Sequence, residues 1–578
     1  MKIYGALSFA FALLFSAHGY AQVAPVSRAP AFPPATPILA HNGMVVAQES
    51  RAARIGVEIL DRGGNAVDAA VAVGFALAVT YPRAGNIGGG GFMVIHLAKD
   101  NRAKGGQDFA IDYRETAPAA ATQDMFLDAK GEPDPAKSRD SALSVGVPGT
   151  VAGLALAQQK YGSGKLSLAD LIAPAIRLAQ QGFPVEDDIA DSLPRARDRL
   201  ARWPSSAAIF LNGGQPLHEG DRLLQFDLAD TLRAIAQDGP RAFYAGRTAD
   251  RIAAAVTKAG GIMSKDDLKN YRALERPVVR GSYRGTDIVS MPPPSSGGVH
   301  LIEMLNILEG YDLAKLGRGA PSQHLLIEAM KRAYADRAVF MGDPDAMKMP
   351  IAGLTSKKYA AGLRASIGER ATPAAEIRPG QPAEYEGRNT THFSVIDRDG
   401  NAVSNTTTLN FSYGLGLVAA GTGVLLNNEL DDFTAKPGAA NAYGLVGFTA
   451  NLPGPGKRPL SSMTPTILLK DGKPFLITGS PGGSRIISAV LQVIVNAIDF
   501  QMPIAEAVSA PRLHHQWQPD EVVAEPGFDP DLLDALARRG HKIVPTQPHT
   551  SANSIEVTPN GYVGAADRRT RGALAAGY

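Results

Sequence analysis

Near residue 390 the hydrophobic pattern of the chain changes period, and that change restricts the folds open to it. Upstream, apolar residues recur mostly at helical spacing; downstream they fall in short runs joined by turn dipeptides. Just before the change, 368–389 is rich in Pro, Gly, Glu and Arg and has no apolar period, so it reads as an exposed loop. Just after it comes Thr390-Thr391-His392-Phe393-Ser394-Val395-Ile396-Asp397, a strand pattern that begins without transition. Such a strand has the character of a second amino terminus, made by cutting the chain between Asn389 and Thr390.

A hairpin should follow. Asp399-Gly400 is a two-residue turn signal, and Ala402 to Asn410 is a second strand pattern. Pairing Arg398 with Asn401 across that turn places Thr390 opposite Leu409, with Thr408 and Asn410 one residue away. A hydroxyl at a strand end then meets a hydroxyl and amide patch. Two Thr residues at a strand start also fit ordinary β propensity. The chemical reading requires a base, because a Thr hydroxyl is a weak nucleophile near neutral pH. A free α-amine on the same residue, with a pKa of roughly 7.7 to 8, is such a base, and it exists only after the preceding peptide bond is cleaved.

Composition sets outer limits. With 578 residues, 45% hydrophobic and 20% charged, the chain has ample core for a layered globular fold. The net charge of +2 and the lack of a basic helical stripe argue against nucleic acid and anionic membranes as partners. Lys2, the apolar run 6–15 and the ending Gly19-Tyr20-Ala21 form a secretory leader, 1–21, too short to span a bilayer. A Pro-rich spacer, 22–38, follows. Zero cysteines exclude disulfides and thiolate chemistry and suit a periplasmic or secreted protein.

Helical patterns at 48–60 and 66–80 open the mature region, followed by Asn86-Ile87-Gly88-Gly89-Gly90-Gly91 and strands at 92–97 and 109–114. The middle, 143–340, reads as mostly helical. Strands flanked by long helices on both sides suggest stacked sheets under helical layers.

Several motifs carry chemistry. Gly479-Ser480-Pro481-Gly482-Gly483-Ser484 lies between a strand and a helix, where glycines let backbone N–H groups converge and hold an oxyanion; a plain helix cap at Ser484 is the alternative. No phosphate loop is present, because Gly164-Lys165 is preceded by Gln159 and followed by Leu166. The four glycines from Gly88 to Gly91 follow helices, a poor match to a dinucleotide fingerprint. His514-His515 point to opposite faces of a strand, so no metal is expected there. Asn427-Asn428-Glu429-Leu430-Asp431-Asp432, Ser461-Ser462 and Arg114 supply charges of both signs and hydroxyls, which suit a substrate bearing an ammonium and a carboxylate.

These residues carry a resemblance to the γ-glutamyltranspeptidases, amino-terminal-nucleophile hydrolases. It is densest in Thr390-Thr391-His392-Phe393-Ser394-Val395, Leu426 to Phe433, Lys457 to Met463, Gly479 to Arg485 and Pro511 to Trp517. Upstream it includes Gly63 to Ala70, Asn86 to Phe92 and Asp112 to Pro118.

The resemblance implies an αββα sandwich without cofactor or metal. It implies a precursor that cuts itself into a large chain, 39–389, and a small chain, 390–578, which stay together as a heterodimer. Thr390 would attack the γ-carbonyl of glutathione or a related donor and pass the acyl group to water, an amino acid or a peptide. Arg114, Ser461 and Ser462 would hold the glutamyl α-carboxylate, and Asn410, Glu429 and Asp432 the α-amine. Gly482 and Gly483 would form the oxyanion hole, Thr408 would bond the Thr390 hydroxyl, and Tyr443, in a lid at 437–448, would close over the site and reach Asn410. Related readings are a cephalosporin acylase, a poly-γ-glutamate amidase, or a catalytically silent periplasmic amino-acid-binding protein on the same fold.

Overall fold

The strand Thr391–Asp397 sorts its side chains by alternation. Phe393 and Val395 join one core cluster with the helix Ala66–Thr80, whereas Ile396 joins a second cluster on the opposite face. All seven of its residues are buried, as are all seven of its hairpin partner Ala402–Thr408. A strand buried on both faces must lie inside a layered fold.

The computed structural model, which describes residues 33–99, 106–378 and 390–578, shows that layering. One seven-stranded antiparallel sheet runs in the order Leu574–Gly577, Gly43–Ala47, Thr391–Asp397, Ala402–Thr408, Gly90–Leu97, Gln107–Tyr113, Leu274–Arg276. A second has the order Ile38–Ala40, Gly561–Ala565, Ser554–Thr558, Lys473–Thr478, Thr466–Lys470, Thr286–Ser290, Val279–Tyr283. Helices including Ser50–Asp61, Ala66–Thr80 and Leu168–Gln181 cover the first sheet, and Gly297–Leu308, Ala320–Phe340 and Ile486–Ile498 the second. This is the αββα sandwich expected from the sequence.

Ala66–Thr80 shows how composition sets layer spacing. Every one of its residues is buried, and its Ala-rich surface lets backbones approach on all sides. Its amino terminus is closed by a reciprocal Asn65/Asp68 capping box, and the Ala66 N–H donates to Asp397 Oδ2 at 2.9 Å. The helix start is thereby tied to the hairpin that follows Thr390.

One expectation needs correction and another needs detail. The hairpin has a three-residue loop, not a two-residue one. Ile396 pairs with Ala402 and Thr391 with Thr407, so the register continued by one residue sets Thr390 across from Thr408 rather than Leu409. Asp397 causes the shift. Its carboxylate accepts from the N–H groups of Asp399 and Asn401, while Gly400 takes φ +83, the left-handed residue that closes such a loop. The middle region is not all helix either: Val279–Tyr283 and Thr286–Ser290 form an edge hairpin of the second sheet.

The leader 1–21, most of the spacer and Asn389 lie outside the described residues. Among those described, no helix is long and apolar enough to cross a membrane.

Candidate active site

The strand that follows Thr390 begins at the rim of a small cavity of about 20 Å³, lined by Arg114, Thr390, Thr408, Glu429, Asp432, Tyr443, Ser461, Ser462 and Gly483, with Leu445, Met463 and Ile486 supplying apolar wall. Nine of the expected site residues thus converge from segments far apart in sequence. Asn410 and Gly482 border this cavity without lining it.

Thr408 ties the Thr390 region to its neighbours. It pairs with Gly90 on the next strand, its carbonyl accepts from Asn86 Nδ2 at 2.8 Å, and its Oγ1 accepts from the Asn410 N–H at 2.9 Å. Asn410 leaves the strand in the left-handed region at φ +71, which Asn tolerates better than most residues. Its Nδ2 donates to the Asn428 carbonyl, and its buried Oδ1 has no protein partner among the described residues.

Arg114 follows the strand Gln107–Tyr113 and is fully buried. Its guanidinium makes short charge-assisted contacts with Glu429 and Asp432, and donates to the carbonyls of Pro459 at 3.1 Å and Leu460 at 3.3 Å. Glu115 lies 3.8 Å away. The sequence reading held the two signs apart; the structure pairs them directly, because buried charges left uncompensated are costly. Burial works against the Arg114 charge, but the three carboxylates outweigh it and hold its pKa above the ordinary arginine value. Burial likewise drives Glu429 well above the usual carboxylate range, opposed by Arg114, and raises Asp432; Glu115 is pushed up to about 7. Glu429 Oε2 remains buried without a partner among the described residues.

Ser461 and Ser462 sit on a segment clamped to the loop before Gly297–Leu308. The Ser461 N–H donates to the Pro294 carbonyl at 2.9 Å, and the Ser461 carbonyl accepts from the N–H and the hydroxyl of Ser296. Here the structure adds a residue that sequence reasoning missed. Arg337, buried in Ala320–Phe340, donates from Nε to Ser296 Oγ at 2.8 Å and from a terminal nitrogen to Ser462 Oγ at 3.0 Å. Among the described residues it forms no ion pair with a carboxylate, and burial lowers its pKa to about 10. In sequence it is one charge among Lys331, Arg332, Asp336 and Arg337, a pattern that reads as a solvated helix face.

The glycine turn takes backbone conformations that only glycine adopts readily. Gly482 and Gly483 adopt φ +137 and +57, both in the region that disfavours side chains, and a Cβ on Gly482 would meet Thr550 at 2.7 Å. The short turn Gly483–Arg485 then runs into the helix Ile486–Ile498. Ser484 caps neither element, since the residues at the two caps are Gly482 and Arg485.

The 437–448 segment is a small hairpin closed by an Ala440–Val446 bridge. Tyr443 at its tip is buried, and its hydroxyl donates to the Asn410 carbonyl at 2.8 Å. Two acids hold the tip down: Asp432 Oδ1 accepts from Asn441 Nδ2 at 3.0 Å, and Asp431 Oδ2 from the Ala442 N–H at 2.9 Å. Asp431 also takes the Ser138 hydroxyl at 2.6 Å, and burial raises it to about 6. Neither Asp431 nor Asn441 was singled out from sequence.

His514 and His515 are structural, bonded to Ser488 and Gln516 and to Asp520 respectively. His324, Glu328 and His541 bring ligand-type atoms within 4.8 Å of one another. Lys331 at 3.0 Å and Arg332 at 2.7 Å already share the Glu328 charge, which disfavours a cation there.

The chain is similar to known proteins over most of its length. Residues 52–577 match a family model described as gamma-glutamyltranspeptidase. A glutathione hydrolase proenzyme of Escherichia coli (strain K12) is 52% identical over 94% of this chain and 93% of its own length. One from Pseudomonas sp. (strain A14) is 48% identical over 94% of this chain and 95% of its own. Among solved structures, a cephalosporin acylase from Bacillus halodurans superposes with a TM-score of 0.81 at 29% identity, covering 98% of this chain and 99% of that one.

Proposed function

The chain belongs to the γ-glutamyltranspeptidase family, and from that premise we propose that it is a glutathione hydrolase and γ-glutamyltransferase that cuts itself before Thr390. The observation that carries the substrate reading is the grouping of Arg114, Glu429 and Asp432 with Thr390 on one cavity. Opposite charges buried beside a nucleophile suit a zwitterionic acyl group and little else.

Processing begins with the Thr390 hydroxyl attacking the carbonyl of residue 389. The acyl group moves from nitrogen to oxygen, the Thr390 nitrogen takes up the proton, and water hydrolyses the ester. The result is a large chain ending at Asn389 and a small chain beginning with a free amine on Thr390.

In turnover that amine accepts the Thr390 hydroxyl proton as Oγ1 bonds the donor's γ-carbonyl carbon. Thr408, facing Thr390 across the hairpin, orients the hydroxyl. The tetrahedral oxyanion is held by the N–H groups of Gly482 and Gly483. The C–N bond then breaks, the amine base returns the proton to the leaving nitrogen, and a γ-glutamyl ester remains on Thr390. Water or an acceptor amine attacks the ester by the reverse sequence.

Arg114, with Ser461 and Ser462, takes the donor's α-carboxylate, and Glu429, Asp432 and Asn410 take its ammonium. Binding exchanges the internal ion pairs for intermolecular ones, so the buried charges stay compensated throughout. Tyr443 covers the bound group and limits water at the ester. The leader at 1–21 and the lack of cysteine support a periplasmic or secreted location.

The test is mass spectrometry of the quenched enzyme after mixing with a γ-glutamyl anilide. A γ-glutamyl adduct on the peptide beginning at Thr390 supports the reading. A glutaryl anilide, which lacks the α-amine, should turn over at least about 30-fold more slowly, roughly 2 kcal/mol of lost ammonium contacts. Equal turnover would favour an acylase.

A further inference from the structure

Outside the lid lies a groove of about 360 Å³ that the acyl-transfer chemistry leaves unused. The helix Asp187–Ala201 presents Arg195 and Arg199 to it one turn apart, Arg202 follows just past the helix end, and Ser412 forms part of the opposite side. Like charges at this spacing oppose helix formation by a few tenths of a kcal/mol, so the arrangement is not explained by local stability. Two carboxylates share the lining. Asp198 lies 2.9 Å from Arg197, and Asp140 lies 3.9 Å from Arg202. Among the described residues, neither Arg195 nor Arg199 has a carboxylate within ion-pair distance.

The groove is separated from the inner cavity by one pair of aromatic rings. Tyr443, which lines the inner cavity, meets Phe411 edge to face at 6.3 Å, and the Arg199 guanidinium lies 4.9 Å above the Phe411 ring. Arg199 is fixed there by the carbonyls of Ser412 and Gly414, each at 3.2 Å. A donor whose γ-glutamyl part fills the inner cavity must lead its remainder outwards. Two extended residues reach roughly 7 Å, which spans the 6.3 Å from Tyr443 to Phe411 and brings a terminal carboxylate to the ring over which Arg199 lies. The glutathione leaving group is a dipeptide ending in a carboxylate, and peptide acceptors end the same way.

We propose that this groove is a carboxylate subsite for the peptide leaving group and the peptide acceptor, with Arg195 and Arg202 as its accessible cations and Arg199 as its floor. The proposal rests on the γ-glutamyl reading above. It makes the groove a determinant of selectivity for peptides over uncharged amides, separate from the residues that hold the γ-glutamyl group.

The experiment uses the processed full-length protein carrying Arg195→Gln and Arg202→Gln, both exposed positions; Arg199 stays because it supports the Phe411 loop. Glutathione is compared with γ-glutamyl-p-nitroanilide, whose leaving group has no carboxylate, and glycylglycine with glycylglycinamide as acceptors. We expect the glutathione-to-anilide ratio of kcat/KM to fall about fivefold, the summed effect of two exposed ion pairs, with a similar fall in the acceptor ratio. Raising ionic strength should shrink the wild-type preference towards that of the variant. Ratios within about twofold of wild type for both pairs would overturn the subsite. Wild-type turnover of the anilide tests the γ-glutamyl reading on its own, so the two failures are distinguishable.

Discussion

Two clusters of buried ionisable side chains lie in this molecule at similar depth, and they differ in what the burial does. At the cavity, Arg114 meets Glu429 and Asp432, groups delivered by two loops far apart in sequence. In the helical layer over the second sheet, His300, Glu303 and Asp336 come from two packed helices, with the Tyr359 hydroxyl donating to Asp336 at 2.5 Å and His300 Nδ1 lying 2.6 Å from Glu303. The first cluster sets an arginine against three carboxylates: they hold the Arg114 charge, while burial raises Glu429, Asp432 and Glu115 against its pull. The second avoids charge: burial pushes Glu303 up to about 8 and His300 down to about 3, and burial joined by the Glu303 charge lifts Asp336 to about 8. Burial of ionisable groups alone therefore does not mark function. Opposite charges on a cavity wall, beside a candidate nucleophile, point to a site.

The contrast can be broken by substitution. The largest effect belongs to Arg114→Lys, which keeps the charge but loses the planar fork that spans two carboxylates. It should lower kcat/KM for a γ-glutamyl anilide by about 2–4 kcal/mol, roughly 30- to 1000-fold, while self-cleavage proceeds. A loss under about threefold, less than roughly 1 kcal/mol, would reduce Arg114 to a structural ion pair.

Next comes Arg337→Gln. Because Arg337 holds the Ser462 hydroxyl behind the expected carboxylate position, the variant should raise KM by about tenfold, near 1.4 kcal/mol, with a smaller change in kcat. The discriminating measurement is a 4-aminobutyryl anilide, which lacks the α-carboxylate. Equal losses for both donors would mean that Arg337 acts through the fold.

Smaller again is the lid. Tyr443→Ala, and separately a short Gly-Ser link in place of 437–448, should lower the ratio of transfer to hydrolysis by about threefold with glycylglycine as acceptor. Self-cleavage should persist in both. An unchanged ratio in both would show that the hairpin does not gate water.

The smallest effect on activity, and the sharpest on stability, belongs to Glu303→Gln. Glu303 and Asp336 sit near 8 in the folded protein and near 4 in an unfolded chain. Between those values the folded state holds more protons, so stability from the pair is fully present below about pH 4 and is lost as pH rises through about 8. The variant should flatten the decline of Tm between about pH 6 and pH 8 and leave anilide turnover at neutral pH within about twofold. A pH profile of Tm identical to wild type would contradict the neutral character of this cluster.

Much of the cavity was legible because its chemistry sits in dense local motifs. Glu429 with Asp432, Ser461 with Ser462 and Gly482 with Gly483 stand in such motifs, and the family resemblance, not their spacing, supplied the role expected of each. The layered sheets followed from strands flanked by long helices and from the family resemblance, although one register step was misread where the Asp397 side chain, rather than the turn dipeptide, chose the loop length. Arg337 and Asp431 were illegible for a different reason. Arg337 acts on Ser462 across 125 residues and Asp431 on Ser138 across 293, contacts that only the packed layers create. The edge strands 279–290 were hidden by a helical neighbourhood whose period dominated the reading.

The central claim is that Thr390 becomes the nucleophile by releasing its own amine. A denaturing gel of purified wild-type and Thr390→Ala protein, with amino-terminal sequencing of every band, tests it directly. The account predicts two wild-type bands, the smaller beginning Thr-Thr-His-Phe-Ser, and one uncut, inactive band for the variant. Efficient cleavage of the Ala variant between residues 389 and 390, or full activity from an uncut wild-type chain, would contradict it.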